Sequence, residues 1–305
     1  KCVRIYVSKK VPESQLKPSE VIPKTIRLED GTEICTDVVE IGVVKAQQLN
    51  PRQRWRPAPA GVSTSRADEI AAGTIGWFVV DEDANIYAIS NNHVWAGENA
   101  GKPGDPLVQP GRYDGGDPDK DVVYTLTTFI PLTTDAPNTV DVAVATPLSL
   151  SQIYTSILNI GGITGKAIPS EGDTLKKMGR TTGLTEAVVI DTSATIQVEY
   201  TTGTLTFTDI ILTTKMSEAG DSGSPVLTRD NQFTGLLFAG SNTVTATCKY
   251  TNIETALTQQ MGKKVRILTA NSYPPFFREV QVVHTDNSRA IALSLLWTIL
   301  TMGRW

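Results

Sequence analysis

From Gly73 onward the chain is a succession of short β-like runs separated by glycine, aspartate and asparagine. That spacing constrains the fold more than any other feature of the sequence. The runs cover residues 75–80, 85–90, 122–129, 140–145, 187–191, 206–213 and 233–239. Many short strands with turn signals between them predict a mainly β sandwich or barrel. Only two helices are expected among them, over 149–158 and over 253–261, the second with Asn252 as N-cap and Gly262 as C-cap.

The part before Gly73 reads differently. Val3-Arg4-Ile5-Tyr6-Val7 alternates, a proline-punctuated stretch follows, and 25–28 and 34–41 flank Asp30-Gly31 as a hairpin. This predicts a small α+β module. Residues 50–61, rich in Arg and Pro, read as an extended linker. The expected organisation is a module with its linker over 1–60, a main domain over 61–265 and an extension over 266–305. The extension holds the one long apolar run, thirteen residues over 290–302. A membrane span needs about 20, so a C-terminal helix capped by Asn287 or Ser288 is expected instead, docking on the body or on another subunit. Self-association through this helix or through the N-terminal module follows as an expectation.

Composition excludes several classes. The 305 residues carry a net charge of −4, without the basic excess of a nucleic-acid binder. Cys2, Cys35 and Cys248 are odd in number and widely spaced, giving neither a disulfide framework nor a zinc-ligand pattern. Such cysteine usage favours a cytoplasmic over a secreted setting. Because the sequence begins at Lys1, the native start is expected upstream, and a missing signal peptide proves nothing.

Chemistry concentrates in three segments. Gly220-Asp221-Ser222-Gly223-Ser224-Pro225-Val226 sets a serine between glycines. A serine hydroxyl attacks only when a base takes its proton and the resulting oxyanion is stabilised. The flanking glycines let a substrate approach closely, and the amides of Gly220 and Ser222 can point into one pocket as an oxyanion hole. Taken alone, such a string is also compatible with a tight turn. The chain has two histidines, His93 and His284. His93, in Asn91-Asn92-His93-Val94-Trp95, follows a strand where a short helix should begin. Asp141 interrupts the apolar Val140-Asp141-Val142-Ala143-Val144. A carboxylate there is costly to bury unless it accepts hydrogen bonds, and an imidazole is the partner that justifies it. Held to Asp141 through one ring nitrogen, His93 presents the other to Ser222.

In the chain order His, Asp, Ser, these segments resemble those of the chymotrypsin/trypsin-like serine peptidases. Lys177-Met178-Gly179-Arg180-Thr181-Thr182-Gly183 is similar to the Gly-x-Thr-Thr-Gly turn of bacterial members. The resemblance covers about residues 70–262 and implies two antiparallel six-stranded barrels closed by a final helix. It also implies a triad of Ser222, His93 and Asp141, an oxyanion hole of Gly220 and Ser222, and a protein or peptide substrate. Acyl transfer of this kind calls for no cofactor and no metal. The disulfides of animal members are missing, which points to a bacterial or phage-type relative. Animal members are also activated when a new N-terminus pairs with the aspartate before the nucleophile. Asp221 is present, but the first barrel strand lies inside a continuous chain, so any activation must differ. Ser224 replaces a glycine.

By the same resemblance, Met216, Ser217, Phe238, Ala239 and Gly240 line the primary substrate pocket. Met216 stands where a Lys/Arg-directed enzyme needs an acid, so cleavage after basic residues is not expected. Gly161–Lys166 lacks the first glycine and the Ser/Thr of a phosphate loop, and 81–92 lacks the central glycine and closing glutamate of a calcium loop. An esterase elbow would need His284 as base and long alternating helices. A second class stays open: a protease-fold binding or scaffold protein without turnover.

Overall fold

The computed structural model describes residues 2–27, 30–40 and 49–269. The expected C-terminal helix on the 290–302 run, with its cap at Asn287 or Ser288, and His284 lie outside these. The chain divides after Leu49 into two compact units.

The first unit is a three-stranded sheet. Cys2–Val7 pairs in parallel with Glu33–Glu40, which pairs antiparallel with Thr25–Arg27. The hairpin read around Asp30-Gly31 is therefore present, with Gly31 at φ 85° and the Thr32 amide donating to Asp30 Oδ1 at 2.9 Å. The helical content expected here is limited among the described residues to two 3₁₀ turns, Glu13–Gln15 and Pro18–Glu20. The proline-rich stretch offers no run of residues long enough for an α-helix.

The second unit holds two β-barrels. In the first, Ser63–Arg66, Pro106–Val108, Val122–Phe129, Ala143–Pro147, Ile86–Ser90 and Trp77–Asp81 follow one another in space. Gly73–Thr74 pairs back onto Ser63–Arg66, and the Ile75 amide donates to Val62 O at 2.9 Å. Counting 73–81 as one bent strand closes a six-stranded ring. The second ring runs through Gln232–Gly240, Pro225–Thr228, Thr174–Gly179, Gly183–Tyr200, Gly203–Thr214 and Val244–Lys249, and closes by pairing the last with the first. Short strands add at the edges, Val265–Ile267 to the first barrel and Gly165–Lys166 to the second. Trp77, Phe78, Trp95, Tyr124, Phe207 and Phe233 are fully or almost fully buried and fill the interior.

Three local expectations are corrected. Residues 149–158 form one 3₁₀ turn, Leu150–Gln152, and then the strand Ile153–Ile157. Ser149 supplies a helix-type cap, but the β-branched residues at 153, 155 and 157 favour a strand, which Ala58–Ala60 accepts as a parallel partner. For the same reason the 50–61 stretch is extended but does not run free. Ala58 and Ala60 are buried, and Arg54 and Arg56 both form ion pairs with Asp121. Helix Tyr250–Met261 starts three residues earlier than expected, with Lys249 at the N-cap. Asn252 instead donates to Asp209 Oδ2 at 2.9 Å. Gly262 ends the helix in the left-handed region at φ 63°.

Candidate active site

Register brings the histidine and the aspartate together. Ala143 pairs with Ser90 across the first barrel, so Asp141 falls beside the turn that follows Ser90. That turn is the short helix Asn92–Trp95. Asp141 is fully buried, and its Oδ1 caps the helix by accepting from the amides of Asn92, at 2.6 Å, and His93, at 3.3 Å. Its Oδ2 accepts from His93 Nδ1 at 2.5 Å. Two further bonds fix the backbone of Asp141: Asn91 Nδ2 donates to its carbonyl at 2.7 Å, and its amide donates to Cys248 Sγ at 3.3 Å. The carboxylate thus has the partners its burial requires.

The imidazole keeps 23% of its surface exposed. Burial of the ring opposes its charge, but the Asp141 carboxylate outweighs this, with smaller help from Glu98 and Glu69, and His93 titrates above an ordinary histidine. Beside it opens a cavity of about 320 Å³, lined by Arg66, Asp68, Glu69, Glu98 and Thr201 as well as His93. Behind it, burial first and the Asp141 charge second push the Cys248 thiol far up, so it stays neutral.

The serine segment is a tight turn held from several sides. Gly220 and Gly223 have φ 95° and 93°, which suits glycine. A Cβ on Gly223 would sit 2.2 Å from Thr74 O and 2.3 Å from Ser90 Oγ, so the turn packs directly on the first barrel. The Thr74 amide donates to Ser222 O at 2.8 Å. Gly73 lies between the two halves of the site: a Cβ there would meet the Val94 side chain at 2.6 Å and Ser222 O at 3.2 Å. The residue after His93 and Ser222 itself therefore flank one glycine. The amides of Asp221, Gly223 and Ser224 are engaged in backbone hydrogen bonds. Those of Gly220 and Ser222 donate to no group among the described residues, and neither does the Ser222 hydroxyl. A nucleophile–base bond is often formed only once substrate is bound.

Asp221 anchors this turn and is fully buried. Its carboxylate accepts from the amides of Thr181 (2.8 Å), Thr182 (3.1 Å) and Glu218 (3.0 Å), and from the Thr182 hydroxyl (2.6 Å). The ammonium of Lys177, equally buried, lies 3.4 Å from Oδ2 and donates to Gly183 O at 2.8 Å. Burial lowers the lysine's pKa, and the attraction of Asp221 opposes that fall without cancelling it. Next to this pair, Arg180 forks onto Asp114 at 2.8 and 2.5 Å, and its amide donates to Thr74 Oγ1 at 3.0 Å. The Gly-Arg-Thr-Thr-Gly segment thereby ties the serine turn to the first barrel. Ser224 Oγ closes the turn by donating to Asp221 O at 2.6 Å.

The residues expected to line a substrate pocket divide. Ser217 shares a hydrogen bond with Thr245 Oγ1 at 2.8 Å and adjoins Gly240, where a Cβ would be 3.0 Å from Ser217 Oγ. Phe238 is buried against Phe207, their centroids 4.6 Å apart, and Ala239 is part-buried beside it. Met216 instead points into the core with Leu175, Val226 and Leu237. The sequence reading placed Lys177 in the Gly-x-Thr-Thr-Gly segment without giving it a role, and missed Thr74, Glu98 and Tyr200. Tyr200 donates to Asp141 Oδ2 at 2.7 Å from a hairpin of the second barrel. Among the described residues no group of three or more His, Cys, Asp or Glu side chains is placed to hold a metal ion, and no helix is long and apolar enough to cross a membrane.

The chain matches no family model and no curated protein. Among solved structures it is similar to protease A of Thermobifida fusca, at 20% identity, TM-score 0.49, over 69% of this chain and 100% of that one. Similar values hold for a Nocardiopsis protease (16% identity, TM-score 0.49, 68% and 100% covered). A Cellulomonas bogoriensis chymotrypsin gives 20% identity, TM-score 0.48, and 69% and 97% covered. Two closed six-stranded barrels followed by a helix are the chymotrypsin-like architecture expected from the sequence.

Proposed function

We propose that this chain is a serine endopeptidase, with Ser222 as nucleophile, His93 as general base and Asp141 as the group that orients the base. The observation that carries this reading is the buried Asp141 carboxylate accepting the Nδ1–H of His93, the one histidine among the described residues. That bond fixes the tautomer in which Nε2 has a free lone pair. In the reaction, Ser222 Oγ attacks the scissile carbonyl carbon while His93 Nε2 takes its proton. The oxyanion is received by the amides of Gly220 and Ser222, both without a partner among the described residues. The imidazolium, stabilised by Asp141, then protonates the leaving amine, the C–N bond breaks, and an acyl-enzyme remains. Water, deprotonated by His93, attacks the ester carbonyl, the acyl–Oγ bond breaks, and His93 returns the proton to Ser222 Oγ. The cavity beside His93 leaves room for substrate residues near the bond being cut.

Turnover of casein by wild type beside Ser222→Ala and His93→Ala tests the reading. Either substitution should lower kcat by about 10⁴- to 10⁶-fold, because the members act as a unit. A wild type that is folded and silent would favour the scaffold reading instead.

A further inference from the structure

The hairpin of Gly183–Tyr200 and Gly203–Thr214 comprises strands of 18 and 12 residues, the two longest of its barrel. Its tip reaches the Asp141–His93 pair of the first barrel. From this geometry, and on the protease reading above, we infer that Tyr200 is a positioning residue: its hydroxyl fixes the carboxylate that orients the base.

Among the described residues four donors converge on the Asp141 carboxylate. Three belong to the histidine turn itself: the amides of Asn92 and His93, and His93 Nδ1. The fourth is the Tyr200 hydroxyl, the one donor the second barrel supplies, and it binds Oδ2, the oxygen that holds the imidazole. The ring is held for this task. It stacks on Phe207, with centroids 5.9 Å apart and planes 21° apart, and meets the His93 ring edge-on at 5.8 Å. The two residues after it clamp the hairpin tip to the histidine loop. The amides and hydroxyls of Thr201 and Thr202 all donate to the Glu98 carboxylate, at 3.1, 2.5, 3.0 and 3.1 Å. Burial, with the Asp141 charge adding to it, pushes the Tyr200 phenol far up, so it remains a donor across the working pH range.

A donor on Oδ2 draws negative charge away from the imidazole. Removing it leaves a stronger partner for the imidazolium, so the His93 pKa rises, and it frees the carboxylate to turn away from the orienting geometry. Other groups also act on His93: Glu98 and Glu69 raise its pKa, the Arg66–Asp68 pair lines the same cavity, and the Cys248 thiol lies behind Asp141. None of these donates to Oδ2, which among the described residues receives the His93 Nδ1–H and the Tyr200 hydroxyl.

The test is Tyr200→Phe in the full chain, which keeps the ring and deletes the hydroxyl. The chain has two histidines, so histidine Cε1 resonances titrate as two signals, assigned with His284→Gln. In Tyr200→Phe the His93 pKa should rise by about half a unit. The acid limb of kcat/KM should move with it, and kcat should fall several-fold with KM little changed. Should the variant lose its cooperative melt, 3-fluorotyrosine placed at position 200 gives a second readout, since a stronger donor must move the His93 pKa down. An unchanged His93 pKa in both substituted proteins, with kcat intact, overturns the inference and reduces Tyr200 to packing. That outcome in an active wild type leaves the protease reading standing. A silent wild type whose His93 pKa follows Tyr200 overturns the protease reading and upholds the positioning bond.

Discussion

The buried pair under the serine turn gives a prediction whose size can be worked from its contacts. Lys177→Met keeps the volume of the side chain and removes its charge. Asp221 is then a fully buried carboxylate without a counter-ion, and breaking such a pair from one side costs about 3–5 kcal/mol. Four donors remain on Asp221, from Thr181, Thr182 and Glu218. They compensate part of the charge, so the loss should sit near the lower end, about 3 kcal/mol. For a unit of this size that corresponds to a fall in Tm of roughly 6–12 °C. Asp221→Asn should also destabilise, because it strands the buried ammonium. The double variant buries no charge at this point, and should be more stable than the sum of the two losses by about 2 kcal/mol. The assay is urea unfolding of the four proteins followed by tryptophan fluorescence, since Trp77 and Trp95 are buried in the barrel beneath. Additivity within about 0.5 kcal/mol would refute the reasoning, since uncoupled residues behave that way. On the protease reading, both single variants should also lose turnover, because the Asp221 carboxylate holds the Glu218 amide that leads into the serine turn and the Thr181–Thr182 segment beside it.

Three further outcomes follow from the same geometry. His93 is active as a base only when neutral and its pKa is raised, so kcat/KM should fall on the acid side with a midpoint above the ordinary value of about 6.5. The linked stability runs the other way: it is fully present below the unfolded-state pKa and is lost as pH rises through the folded one, which unfolding curves at several pH values would detect. Gly223→Ala forces a Cβ at φ 93° against Thr74 O, a backbone atom that cannot step aside. Its cost should exceed about 3 kcal/mol with turnover abolished, and a variant melting like wild type would contradict the packing described. Arg180→Lys keeps the charge but loses the fork on Asp114. It should lower stability by about 1–2 kcal/mol in chemical denaturation, while an unchanged midpoint would show that charge alone suffices.

How much of this was legible in the sequence depends on how local each signal is. The strand Val122–Phe129 matches its reading residue for residue, because an uninterrupted β-rich run bounded by turns leaves few alternatives. The His93–Asp141 contact was readable because an aspartate in an apolar strand needs a partner, and few imidazoles were on offer. Lys177 and Tyr200 gave no such signal. Lys177 follows another lysine in an alternating strand, and nothing nearby shows that its side chain turns inward to Asp221. Tyr200 ends a long hairpin, and its partner lies 59 residues away in the other barrel. The strand Ile153–Ile157 was masked by the serine that caps the turn before it. Ala58–Ala60 was masked by prolines that break any periodicity. In both cases the partner strand, distant in sequence, decided the outcome.

The most direct test of the central claim is covalent capture. A fluorophosphonate reacts with a serine hydroxyl only when a base activates it and an oxyanion site receives the phosphonyl oxygen. Native protein should gain one adduct, located on the peptide containing Ser222, and should lose it on heat denaturation, in His93→Ala and in Ser222→Ala. A folded protein that stays unlabelled from mildly acidic to alkaline pH, or that is labelled equally well without His93, would contradict the account.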